Sequence, residues 1–228
     1  MKIDTYTNDP PNTPYAPPWN FSLAFEELPI NVENLSKTCL GKEKEILKLP
    51  VEYYDMGDGY KEFDGYTGLG KNSTTSRSNS MPSVFLWDTP EVNSLKKHVK
   101  RCIIEYNNEL GNPIPEPLWV RCWVNILRFG QKINPHIHTI NENAYLSAHF
   151  TVQCGNTSTC YINPVNVLND PEVIKNKNHP GEFTIFPSYV PHYTTRHYSF
   201  IPRITLAMDF SLLYPFEMVD RRQNWVML

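Results

Sequence analysis

The chain has 228 residues, of which 40% are hydrophobic and 13% aromatic, enough for one domain with a substantial core and too apolar for a disordered segment. Its 21 lysines and arginines against 24 aspartates and glutamates leave a net charge of −3, which excludes a basic field that would collect nucleic acid and also an acidic tail. The 20 prolines and 10 glycines favour strands joined by loops over a helical bundle.

Residues 1–54 read as an N-terminal arm followed by a short helix. Pro10, Pro11, Pro14, Pro17 and Pro18 forbid continuous helix there, while Tyr15, Trp19, Phe21 and Phe25 suit an extended arm packing back on the body. The opening M-K-I-D-T-Y-T-N-D-P-P has no apolar run, and no later segment reaches the length of a membrane span. A soluble, cytoplasmic protein is expected. Its five cysteines, Cys39, Cys102, Cys122, Cys154 and Cys160, lack C-x-x-C spacing and read as reduced thiols. The helix is expected from about Val32 to Leu40, with Gly41 as its stop.

Residues 55–81 form a long loop rich in Gly, Ser and Asn. A spacer has little use for Tyr60, Phe63, Tyr66 and Arg77, so the expectation is a mobile lid facing a substrate, with Tyr66 and Arg77 as its contacts. A supporting helix follows over 89–111. Thr89 suits the N-cap, Pro90 the first turn and Glu91 the dipole. Val92, Leu95, Val99, Ile103, Tyr106 and Leu110 then make one apolar stripe, and Gly111 closes it.

From Pro117 to about residue 212 the period changes to two. Val120, Cys122, Val124 and Ile126 alternate with Arg121, Trp123, Asn125 and Leu127; Leu146, Ala148, Phe150 and Val152 alternate with Tyr145, Ser147, His149 and Thr151. Ile204, Leu206, Met208 and Phe210 alternate with Arg203, Thr205, Ala207 and Asp209. The fold class expected is mainly β with flanking helices, a jelly roll, or double-stranded β-helix. The second set in each strand is unusually polar for a solvent face, so it is expected to line a cavity between sheets.

Within this core, G-Q-K-I-N-P-H-I-H places His136 and His138 two residues apart. On an extended chain both would point to one face, with Ile137 turned into the opposite core. His192 follows in F-P-S-Y-V-P-H and completes a candidate three-histidine metal site, for which Fe, Zn, Cu and Ni are all suitable.

Two families share parts of this pattern. Gly130, His136, His138 and Glu142, then Gly181, Pro187 and His192, resemble the cupin motifs, with Tyr189 in place of a glycine. The H-x-H pair, the distal His192 and the R-I-T run at Arg203 resemble iron(II)/2-oxoglutarate-dependent oxygenases. From Trp119 to Phe210 the chain is similar to the members encoded in bacteriophage genomes, akin to prolyl 4-hydroxylases. That resemblance implies Fe(II) held by His136, His138 and His192, with 2-oxoglutarate as cosubstrate. It implies that Arg203 and Thr205 anchor the far carboxylate of 2-oxoglutarate, with Tyr145 and Asn125 as further donors. With O2 such an enzyme releases succinate and CO2 and hydroxylates a substrate, here a prolyl or other peptide side chain. No membrane or nucleic-acid partner is implied.

The departure is His138, where the oxygenase pattern has a carboxylate. Glu142 is the candidate to complete the site from elsewhere; Asp209 is poorly spaced for that role. The competing expectations are a cupin-type metalloenzyme without 2-oxoglutarate and a non-catalytic viral jelly-roll module.

Overall fold

The computed structural model describes residues 1–7, 20–51, 53–55, 61–114, 117–138, 144–164, 171–212 and 224–228. In chain order its elements are β1 (Lys2–Tyr6), β2 (Phe21–Glu27), α1 (Val32–Ile46), β3 (Tyr54–Asp55), β4 (Lys61–Glu62) and α2 (Pro90–Glu109). Then come β5 (Trp119–Leu127), β6 (Ala144–Gln153), β7 (Ser158–Ile162), β8 (Val173–Lys177), β9 (Glu182–Pro187), β10 (His192–Thr194), β11 (Arg203–Ser211) and β12 (Trp225–Met227). Short 3-10 turns lie at Thr75–Arg77 and Val84–Leu86.

Both helices start on capping side chains. Thr89 accepts the N–H of Val92, with Pro90 in the first turn, and Asn31 accepts the N–H of Asn34. Helix α2 ends as expected, next to Gly111 at φ +71°. Helix α1 does not stop at Gly41 but continues to Ile46. An interior glycine costs only about 1 kcal/mol, and the buried Leu35, Cys39 and Ile46 on the sheet-facing side outweigh it.

The jelly roll forms as expected. Seven antiparallel strands run in the order β1-β2-β9-β6-β11-β5-β12, and a second sheet runs β10-β7-β8. The arm reading is corrected on one point, since Phe21–Glu27 is a full strand paired with β9 rather than a wrapping segment. Tyr15 and Trp19 lie outside the described residues. At the other end, Trp225–Met227 adds an edge strand to β5. All five cysteines are unpaired. Among the described residues no helix is long and apolar enough to cross a membrane.

Register decides what each face of the large sheet holds. Asp209 lies opposite Arg121 and Ser147, Ala207 opposite Trp123 and His149, and Thr205 opposite Asn125 and Thr151. These residues share one face because side chains alternate along every strand. The other face carries Val120, Val124, Phe150, Leu206, Met208 and Phe210, which join Leu35, Val92, Leu95 and Val99 of the helices in the main core. The helices therefore cover the apolar face. The polar face turns inward toward the small sheet and lines the cavity.

The 61–81 stretch is more built than a structureless lid. The buried Glu62 carboxylate accepts the N–H groups of Asp64, Gly65 and Tyr66, each at 2.9 Å. Ser73, Thr74, Thr75 and Ser76 are buried against the body, where the Thr74 hydroxyl accepts the N–H of Ile126 and Thr75 donates to Asn125.

Candidate functional site

His136 and His138 reach the cavity from a segment held by one antiparallel bridge rather than from a strand. The bridge pairs His136 with His192 through reciprocal backbone hydrogen bonds of 3.1 and 3.0 Å. Because that pairing is local, Ile137 does not enter a core as expected; it is 45% exposed at the cavity mouth. Candidate ligand atoms of the three imidazoles lie within 4.8 Å of one another, and the His136 and His192 ring centroids are 4.4 Å apart.

Their proton positions follow from their partners. His136 Nδ1 donates to the carbonyl of Asn134 at 2.9 Å and His192 Nδ1 to that of Val190 at 3.1 Å, because a carbonyl can only accept. His138 Nδ1 lies 2.5 Å from Asp209 Oδ1. The Nε2 atoms of His136 and His192 are thereby left as lone pairs. The Nε2 atoms of His136 and His138 are 3.2 Å apart, close enough to share one proton or to bind one metal ion. Burial, with neighbouring His138, pushes the pKa of His136 down to about 4, and burial with His136 and His138 takes His192 well below its ordinary range. Neutral imidazoles of this kind suit a divalent transition metal.

Spacing along the chain makes Asp209 a poor candidate, and its place in the fold is one that spacing does not reveal. It is fully buried. Its Oδ1 accepts from Ser147 at 2.8 Å as well as from His138, and its Oδ2 from Arg121 Nε at 2.9 Å. Burial raises its pKa, but His138, Arg121 and Ser147 outweigh this and hold the carboxyl ionised, below the usual range. The sequence signal was parity. Asp209 falls on the same face of β11 as Arg203 and Thr205, at the His138 end.

Arg203 lies at the other end of that face. It is 2% exposed, and among the described residues no carboxylate comes within ion-pair distance. Its guanidinium makes long contacts to Thr205 Oγ1 at 3.4 Å and Asn178 Oδ1 at 3.5 Å, and its Nε has no partner among the described residues. Burial pulls its pKa down to about 10. Nearby, His149 bonds Tyr161 at 2.9 Å through Nε2, and its Nδ1 has no partner among the described residues. Burial, then Arg203 and His138, push His149 down to about 3.

The histidines and Arg203 open into one cavity of about 650 Å³. Asn125, Thr205, Trp123, Phe186 and Ala207 line its interior, and Phe63 and Tyr66 its rim. Tyr66 is 53% exposed and sits at φ +63°, a left-handed conformation that costs a tyrosine roughly 1–2 kcal/mol.

Two sequence expectations fall elsewhere. Arg77 is buried in its own loop, donating to the carbonyls of Lys71, Ser73 and Leu47, so it orders the rim instead of facing a substrate. Tyr145 packs against the main core and does not line the cavity. Glu142 lies outside the described residues. Arg121 and Asn178 were not singled out by the sequence.

No protein-family model and no curated protein matches the chain. Solved structures do. A Pseudomonas putida prolyl-4-hydroxylase superposes with a TM-score of 0.53 at 13% identity, over 83% of this chain and 91% of that one. AviO1 from Streptomyces viridochromogenes Tue57 gives 0.51 at 9% identity, over 83% and 89%. An oxidoreductase of the 2OG-Fe(II) oxygenase family from Burkholderia pseudomallei gives 0.44 at 13% identity, over 55% and 60%. The first two likenesses establish the fold.

Proposed function

We propose that the chain is an Fe(II)- and 2-oxoglutarate-dependent oxygenase, with His136, His138 and His192 as the metal ligands and Arg203 as the anchor of the cosubstrate. The observation that carries this reading is the buried Arg203 guanidinium, with no carboxylate in ion-pair reach among the described residues, opening into the cavity on which three imidazoles converge. A buried cation without a partner is costly. A dicarboxylate that reaches from the imidazoles to Arg203 would remove that cost and explain why the charge is there.

When bound, Fe(II) would supply the centre at which O2 is activated. The residues of this chain do the rest. Arg203, with the Thr205 hydroxyl beside it, holds the distal carboxylate by charge-assisted hydrogen bonds, and Asn178 Oδ1 accepts from the guanidinium behind it. Ala207, between Thr205 and Asp209 on the same strand face, is small enough to leave room above the sheet. Trp123 and Phe186 exclude water from the interior. Asn125, bonded by Thr75, ties the rim to this floor. Phe63, Tyr66 and Ile137 at the mouth present apolar surface to the substrate. The likeness to a prolyl-4-hydroxylase makes a peptide prolyl side chain the first substrate to test.

The test is anaerobic absorption spectroscopy of Fe(II)-loaded protein titrated with 2-oxoglutarate. A weak visible charge-transfer band, absent in Arg203→Ala although iron still binds, is the expected result. Iron binding without the band in the unmodified protein would favour a cupin-type metalloenzyme. Failure to bind iron at all would leave a jelly roll whose histidines only pack.

A further inference from the structure

We infer that Asp209 is a positioning residue that delivers its negative charge to the metal through His138, standing one imidazole ring behind the position a ligating carboxylate would take. This rests on the metal-site reading above and deepens it. Among the described residues, the only carboxylates lining the cavity are Glu62 and Asp64, on the rim segment. A divalent cation held by three neutral imidazoles, with the cationic Arg203 in the same cavity, would lack charge compensation in a buried site. Asp209 answers that need from behind the ring.

Its position allows nothing more direct. Oδ1 meets His138 on Nδ1, the ring nitrogen away from Nε2, so Asp209 reaches the centre only by way of the imidazole. The other two histidines lean on carbonyls of Asn134 and Val190, so His138 alone has a charged partner. The carboxylate is also locked in orientation. Ser147 donates to the oxygen that His138 uses, and Arg121 Nε to the other. Arg121 is itself fixed, with its guanidinium 4.6 Å from the Trp123 ring centroid and Nη1 donating to Asn79 at 2.8 Å. A carboxylate behind a ligating imidazole fixes its tautomer and strengthens it as a donor, and losing one typically costs 10–100-fold in metal affinity.

The experiment measures Co(II) affinity of the metal-free full chain by visible absorption. Asp209→Asn keeps an acceptor for His138 and removes the charge; it should weaken Co(II) binding about 10–100-fold. In a His138→Asp background, where the ligand carries its own charge, the same change should cost less than threefold. Equal losses in both backgrounds would overturn the inference, because the effect would not pass through the imidazole. Tight Co(II) binding by the unmodified chain and undiminished binding by Asp209→Asn would overturn it while leaving the metal site standing. Absence of Co(II) binding by the unmodified chain would overturn both. Should Asp209→Asn not fold, imidazole 1H–15N spectra of the unmodified Zn(II)-loaded chain decide. The His138 Nδ1 proton should be the most deshielded of the three, and a shift like those of His136 and His192 would refute the inference.

Discussion

Replacing Arg203 with methionine separates a residue built for a ligand from one built for the fold. Burial lowers the guanidinium pKa well below its ordinary value, to about 10. At about 1.4 kcal/mol per tenfold change in proton affinity, the ligand-free protein carries a charge penalty of roughly 3 kcal/mol. The two long contacts to Thr205 and Asn178 and the unpartnered Nε recover little of it. Arg203→Met keeps most of the aliphatic stem and removes the charge. The ligand-free variant is therefore expected to be as stable as the original protein or more stable by up to about 3 kcal/mol. In a chain of this length each kcal/mol moves Tm by about 2–4 °C. The original protein should gain about 2.7 kcal/mol from 2-oxoglutarate at a hundred times its Kd, and the variant nothing. Thermal and urea unfolding with Mn(II), with and without 2-oxoglutarate, reads both effects. A ligand-free variant destabilised by more than about 2 kcal/mol would refute the reasoning, since the guanidinium would then be satisfied within the fold.

Glu62→Ala removes the acceptor of three backbone N–H groups at the rim. It should cost about 1–3 kcal/mol and make residues 61–70 the first site of limited proteolysis; an unchanged cleavage pattern would show that the rim is held by other contacts. Acid sensitivity is the other expectation. His149 titrates near 3 when folded against an ordinary 6.5, so between those values the unfolded chain takes up a proton that the native state refuses. Stability from this group is complete above pH 6.5 and falls by about 1.4 kcal/mol per pH unit below it. His149→Gln, which keeps a polar partner for Tyr161, should reduce the slope of unfolding free energy against pH between 4 and 6.5. An identical slope in the two proteins would be the contrary result.

The sequence by itself determined the faces of the central strands and the ends of the second helix. Period-two alternation in β5, β6 and β11 fixed which side chains turn inward, and with them Arg203, Thr205, Asn125 and His149, because a strand cannot show one side chain to both faces. Thr89, Pro90 and Gly111 marked the ends of α2 through capping chemistry that is local in the chain. The H-x-H pair and His192 announced themselves as ligand types. What depended on contacts between distant segments was decided only by the tertiary structure. Gly41 lies inside α1 because packing on the sheet outweighs a local propensity. Arg77 turned from the cavity to the carbonyls of its own loop, and Tyr145 packed into the core. Asp209 is distant in sequence from His138, yet the backbone contacts of the 136–138 segment with His192 and Ser188 bring the two to 2.5 Å. Spacing along the chain ranks candidate ligands by local reach, whereas hydrogen bonding across a sheet joins residues that the chain itself keeps far apart.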